Sequence, residues 1–176
     1  MTNSSIASCP IPDDALLKIY ASAGGFADCY ATELAGSISL AQYVSAFYTT
    51  RVFKLERFIL KIAVSMPSTD DHARQLAAGT IDRFAAWHVE ARRDDQLLMC
   101  DFQRRTRSWF KVEPAARDDG PYTRLYFGSG VVPVIDKRRG TSSLGPVFHA
   151  LLGFHKLYSR ILLGRSEERR VGKECA

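Results

Sequence analysis

Long apolar runs are missing from this 176-residue chain. Lys61 interrupts even the most apolar stretch, Ile59 to Met66, far short of the roughly 18 or more apolar residues a membrane-spanning helix needs. An integral helical membrane protein is therefore excluded. The opening MTNSSIASCPIPDD has no basic start, apolar block or small-residue cleavage site, so no export signal is read and a cytoplasmic location is expected. Histidine is scarce: His72, His88, His149 and His155 are all there is, with no HExxH or HxxxH among them. His149 and His155 stand roughly 240° apart around a helix at 100° per residue, so they cannot share a metal, and no metal site is expected. The phosphate-cradling patterns GxGxxG and GxxxxGK do not occur either, and no cofactor is expected.

The closing run Arg165 to Cys175, RSEERRVGKEC, is polar and has no hydrophobic period with which to bury a face. It also resembles the in-frame translation of a short-read sequencing adapter. Setting residues 165–176 aside as a non-native tail leaves 20 Lys+Arg against 16 Asp+Glu, a net charge of +4 instead of the full chain's +5. Cys9, Cys29 and Cys100 then remain, an odd number without CxxC spacing, and are read as reduced thiols. The expected organisation is a flexible segment over 1–25 and one domain over 26–164, long enough to bury a core.

Within that domain Asp28 to Leu34 reads as a first strand, broken by Gly36. Ser39 and Gln42 then form an S-x-x-Q capping box, with Ile38 placed to staple against Tyr43, and open a helix ending near Thr49 or Thr50. An amphipathic basic helix is expected from Arg51 to about Ser65, stopped by Pro67. Ser68 and Asp71 resemble another cap, opening a short helix that ends at Gly79. The period then changes from helical to alternating. Phe84 to Ala91, Gln96 to Phe102, Arg107 to Glu113 and Tyr122 to Val132 read as an antiparallel meander. Trp87 and Val89 share one face and His88 and Glu90 the other; Leu125 and Phe127 oppose Arg124 and Tyr126. Gly128 and Gly130 mark a bulge or an element lying close against the sheet. Pro146 opens a long helix to about Leu163 whose stripe of Val147, Leu151, Phe154, Tyr158, Ile161 and Leu162 is wide enough to pack on a sheet.

The order strand, helix pair, meander, long helix is similar to the helix-grip architecture of the START-like, or SRPBCC, superfamily. The YFGSGVV strand, Tyr126 to Val132, and the ending Phe148 to Leu163 look like those of small bacterial proteins of this kind. The resemblance implies an α+β fold in which a curved antiparallel sheet wraps around the C-terminal helix. It also implies a cavity between them that holds a hydrophobic or amphipathic small molecule. Tyr126, Trp109, Phe154, His155 and Tyr158 are the expected ligand-binding residues.

His155, at the edge of the apolar stripe, is either a proton donor reaching that cavity or a partly buried structural histidine. His88, Glu90, Asp101, Arg107 and Trp109 either meet on one concave face to recognise a polar group or lie on an exposed face with ion pairs such as Asp101 with Arg107. Ser129, in Gly128-Ser129-Gly130, lacks the strand-to-helix elbow of a nucleophile. An inert buried thiol is the reading for Cys100. The alternative to a binding domain is a metal-independent enzyme of the same fold using His88 or His155 as acid or base. A further alternative is a peripheral module in which Arg51, Lys54, Arg57 and Lys61 meet an anionic membrane surface or a protein. Nucleic acid is not expected, because the positive charge is spread over a mixed surface.

Overall fold

The computed structural model describes residues 6–22, 25–50, 68–118 and 120–132 in full, and the backbone of 134–136 and 141–143. The elements in chain order are β1 (Ala7–Ser8), α1 (Lys18–Ser22), β2 (Phe26–Ala35), α2 (Leu40–Tyr48), α3 (Asp70–Ala78), β3 (Arg83–Phe84), β4 (Trp87–Arg92), β5 (Gln96–Asp101), β6 (Thr106–Arg117), β7 (Gly120–Val131), β8 (Val134–Asp136) and β9 (Thr141–Ser143). Strands β1 to β7 form one seven-stranded antiparallel sheet in the order β1-β2-β7-β6-β5-β4-β3, and β8 and β9 pair separately. The architecture is α+β. The helices expected over 51–65 and 146–163 lie outside the described residues.

Local chemistry sets these boundaries. Gly36, at φ 90°, turns the chain out of β2, and Ser39 then caps α2 with the full capping box: its hydroxyl accepts from the Gln42 amide while the Gln42 side chain accepts from the Ser39 amide. The next cap falls one residue later than expected. Thr69, not Ser68, receives the His72 amide at 3.2 Å, because the helix starts at Asp70 and only the residue before it can reach that donor. Gly79, left-handed at φ 76°, ends α3 as expected. The strand expected over Phe84 to Ala91 is split, since Ala85 turns left-handed (φ 51°) and Ala85–Ala86 makes a two-residue hairpin between β3 and β4.

Both faces of the sheet are covered. On one, Tyr30, Leu97, Met99, Phe110, Leu125 and Phe127 pack against Tyr43, Val44, Phe47 and Tyr48 of α2 and Leu76 of α3. Phe47 stacks on Phe127 at 5.1 Å and meets the edge of Phe110 at 4.7 Å. Trp87 and Val89 join this side, as the alternation in sequence predicts. The stretch expected to be a flexible lead-in packs on the opposite face: Ala15 and Leu17 are buried there with Cys29, Leu98, Trp109 and Tyr126.

The paired glycines of β7 are what admit it. A Cβ added at Gly128 would stand 2.7 Å from Leu17 Cδ2 and 2.9 Å from Trp109 Cε3; at Gly130 it would meet Leu17 Cδ1 at 3.0 Å. The close element that the Gly-x-Gly spacing announces is therefore Leu17. Polar contacts hold the segment along its length. The Leu16 amide donates to Gln96 Oε1, the Gln96 side-chain amide donates to the Asp14 carbonyl, and Lys111 Nζ lies 2.6 Å from Asp14 Oδ2. At the far end of β7, Glu33 takes hydrogen bonds from Arg117 and Arg124, which hold its carboxyl below the ordinary range.

Candidate functional site

Strand register decides which of the expected site residues meet. His88 pairs with Cys100, and Cys100 with Arg107, so those side chains share the face covered by the N-terminal segment. Asp101 pairs with Trp87 and falls on the other face. Val89 and Ala91 are in register with consecutive residues Met99 and Leu98, which makes Glu90 the extra residue of a bulge. The bulge lets Glu90 reach Arg107, with Nε 2.6 Å from Oε2 and Nη2 3.3 Å from Oε1.

Tyr20 of α1 donates its hydroxyl to Glu90, and its ring lies 4.5 Å from the Arg107 guanidinium carbon. Burial works against the Arg107 charge, yet the hydrogen bonds with Glu90 and Tyr20 outweigh it and the guanidinium pKa is raised. This triad fastens the N-terminal segment, and its groups are occupied by one another.

The expected Asp101–Arg107 ion pair is replaced by a different arrangement. Asp101 Oδ1 accepts the amides of Arg105 and Thr106 at 2.7 and 2.9 Å, closing the β5–β6 turn, and is spent on that turn because the local donors are nearer than any cross-strand cation. Trp109 is fully buried and donates its indole N–H to Gln96 Oε1 at 2.9 Å; Tyr126 donates to Glu113 Oε2 at 2.7 Å. Both lie on the face covered by the N-terminal segment. Ser129 is buried in mid-strand, with its hydroxyl on Asp28 Oδ1, a strand setting without an elbow. Burial pushes the Cys100 thiol pKa up, in keeping with an inert thiol. Phe154, His155 and Tyr158 lie outside the described residues, as do Arg51, Lys54, Arg57 and Lys61.

His88 opens onto a cleft instead. A concavity of about 460 Å³ is lined by Trp87, His88, Phe102, Arg83 and Arg104, with Asp82, Ala86 and Val89 completing it. Two turns build it, the Ala85–Ala86 hairpin and the β5–β6 turn, and the Phe102 amide ties them together by donating to the Ala86 carbonyl at 2.9 Å. Each turn carries a left-handed residue with a side chain, Ala85 (φ 51°) and Arg104 (φ 59°), a costly backbone state that surrounding bonds hold in place. The Arg104 amide donates to the Asp101 carbonyl, and its own carbonyl accepts from Arg107 Nη1 at 2.8 Å.

Phe102 is 48% exposed, high for so large an apolar side chain. Among the described residues neither Arg83 nor Arg104 has a carboxylate within ion-pair distance. The cleft thus offers an aromatic wall, an imidazole, two guanidinium groups and one carboxylate, Asp82. Reading the sequence brings out His88 and a basic group at Arg104, Arg105 and Arg107 but misses Phe102 and Arg83 and does not join Arg104 to His88, because only the long-range bond between two turns makes neighbours of them. The one signal available is a large aromatic followed by polar residues at a strand end. Among the described residues no group of three His, Cys, Asp or Glu side chains is placed to hold a metal. No helix among them is long and apolar enough to cross a membrane. No protein-family model matches the chain, and neither curated proteins nor solved structures yield a match to it.

Proposed function

We propose that this chain is a binding domain for a hydrophobic or amphipathic small molecule, in a helix-grip arrangement with residues 146–163 as the long helix. The observation that carries the reading is the cleft of about 460 Å³ at the tied turns, within the size range of small-molecule sites. Trp87 and Phe102 supply apolar surface, and Arg83 and Arg104 supply positive charge that exceeds the single carboxylate of the lining, Asp82, with which neither forms an ion pair. A molecule with an apolar or aromatic body and an anionic end satisfies both halves. Native mass spectrometry of the full chain before and after organic extraction tests for a carried molecule. Titration with medium-chain fatty acids and aromatic carboxylates, followed by tryptophan fluorescence and thermal shift, tests the cleft directly. Saturable binding that weakens in both Phe102→Ala and Arg104→Glu supports the reading. Affinities indifferent to both changes, or no ligand in either experiment, overturn it.

The place of His88 in the lining favours a second reading, an enzyme that uses this imidazole as acid or base on the bound molecule. Turnover that survives His88→Ala removes it.

A further inference from the structure

Cys9 and Cys29 face each other where the N-terminal segment leaves the sheet edge, with their sulfurs 3.4 Å apart. The ladder of β1 and β2 puts Ser8 opposite Tyr30, and the next pair inward is Cys9 with Cys29, joined by the Cys9 amide donating to the Cys29 carbonyl at 3.0 Å. Opposed residues of a hydrogen-bonded antiparallel pair stand about 5.5 Å apart at Cα, inside the span of about 4.4–6.8 Å that a disulfide bridges. With the two residues held opposite by that backbone bond and their sulfurs 3.4 Å apart, the pair is aligned for an S–S bond of about 2.05 Å.

We propose that Cys9 and Cys29 are a thiol–disulfide modification site, oxidised by a low-molecular-weight disulfide to a reversible bond that fastens the N-terminal segment to the sheet. Two exchanges complete the chemistry. The Cys9 thiolate attacks one sulfur of the small disulfide, forming a mixed disulfide and expelling one thiolate. The Cys29 sulfur then attacks Sγ of Cys9, gives up its proton, and expels the second thiolate. The two protein thiols are oxidised, the small disulfide is reduced to two thiols, and both protons end on the leaving thiols.

The order follows from access: Cys9 is partly exposed and Cys29 is 2% exposed. Burial, reinforced by the Cys9 thiol beside it, pushes the Cys29 pKa well up, so it serves as the resolving thiol and not as the first nucleophile. Cys100 is buried on β5 and has no such neighbour among the described cysteines. The bond would pin the chain between β1 and β2, which carries Asp14, Leu17 and Tyr20 onto the sheet.

The test uses the full chain equilibrated against graded mixtures of reduced and oxidised glutathione, quenched by alkylation and mapped by peptide mass spectrometry. The expected product is a Cys9–Cys29 linked peptide pair. It should reach half-formation at an oxidised glutathione level more than about tenfold below that needed to modify Cys100, because the pair is pre-aligned. In Cys29→Ala, Cys9 should instead accumulate as the glutathione mixed disulfide, and Cys100→Ser should leave the linkage intact. Cys9 ending as a mixed disulfide in the unaltered chain, linkage of either residue to Cys100 or Cys175 instead, or no linkage at any ratio would each overturn the proposal. The principal measurement is on the unaltered sequence, so a variant that fails to fold does not decide it.

Discussion

Replacing Gly128 or Gly130 by alanine probes whether Leu17 seats on β7. An alanine in an open strand position gains about 0.4–1 kcal/mol over glycine, because the unfolded chain has less freedom to lose. The sign should reverse at Gly128, where the new methyl would lie 2.7 Å from Leu17 Cδ2, 2.9 Å from Trp109 Cε3 and 3.0 Å from the Asp28 carbonyl. Overpacking of that kind costs about 1–3 kcal/mol. At Gly130 the one tight contact is Leu17 Cδ1 at 3.0 Å; the next neighbours, at 3.6 and 3.7 Å, are in ordinary contact.

Leu17→Ala alone, at a site with no exposed surface, should cost about 2–5 kcal/mol. The double variants separate the contacts. With Leu17 already alanine, Gly130→Ala should become neutral or stabilising, whereas Gly128→Ala should stay costly because the indole and the carbonyl remain. Urea unfolding midpoints at constant m-value give the coupling energies, expected near 1 kcal/mol or more for the Leu17–Gly130 pair, within the range of about 0.5–3 for touching residues. Additivity for both pairs, or a Leu17→Ala cost near zero, would refute the packing of this segment on the sheet.

Gln96→Leu should destabilise by about 1–3 kcal/mol in the same assay, since it strands the buried Trp109 indole N–H and releases the half-buried Leu16 amide. Glu33→Gln should flatten the acid limb of stability against pH. A depressed carboxylate contributes fully above its ordinary 4.5 and loses that contribution as pH falls through its lowered value, so an unchanged slope between 4.5 and that lowered value would argue against the Arg117 and Arg124 bonds. Glu90→Gln should raise the urea sensitivity of the N-terminal segment, seen as faster hydrogen exchange in 16–22, by leaving the buried Arg107 charge unpaired; unaltered exchange would remove the triad's anchoring role. Arg104→Glu should weaken binding of an anionic amphiphile at least about tenfold without changing the unfolding free energy by more than about 0.5 kcal/mol, as an exposed side chain allows.

The elements that local chemistry dictates were legible in the residues. Ser39 with Gln42, Gly36, Gly79 and the alternation through β5 to β7 act within a few positions, and their structural counterparts fall close to where those signals put them. Leu125 and Phe127 face the helices and Arg124 and Tyr126 the other way, as period-two alternation requires. The N-terminal segment was opaque for a physical reason. Its two prolines and short helix carry no amphipathic period, and what orders it is contact with residues some 80 to 100 positions away, Gln96 and Lys111 among them. Only the Gly-x-Gly of β7 hinted at it, and that motif records a close approach without naming the partner. The same limit applies to the cleft: composition singles out His88, but Phe102 and Arg104 join it through a hydrogen bond between two turns.

The pairing of β2 with β7 also has a consequence for how the chain is made. The nearest partners across that junction, Gly36 and Pro121, are 85 residues apart. At about 5–20 residues per second, the ribosome needs several seconds to several times that after β2 emerges before its neighbour exists. Strands β4 to β6 can pair as they appear, and α2 waits with β2. Until β7 arrives, the nascent chain presents Trp109 and Phe110 on opposite sides of an unfinished sheet, so the synthesis of this small domain passes through its most adhesive state just before its last central strand is laid in.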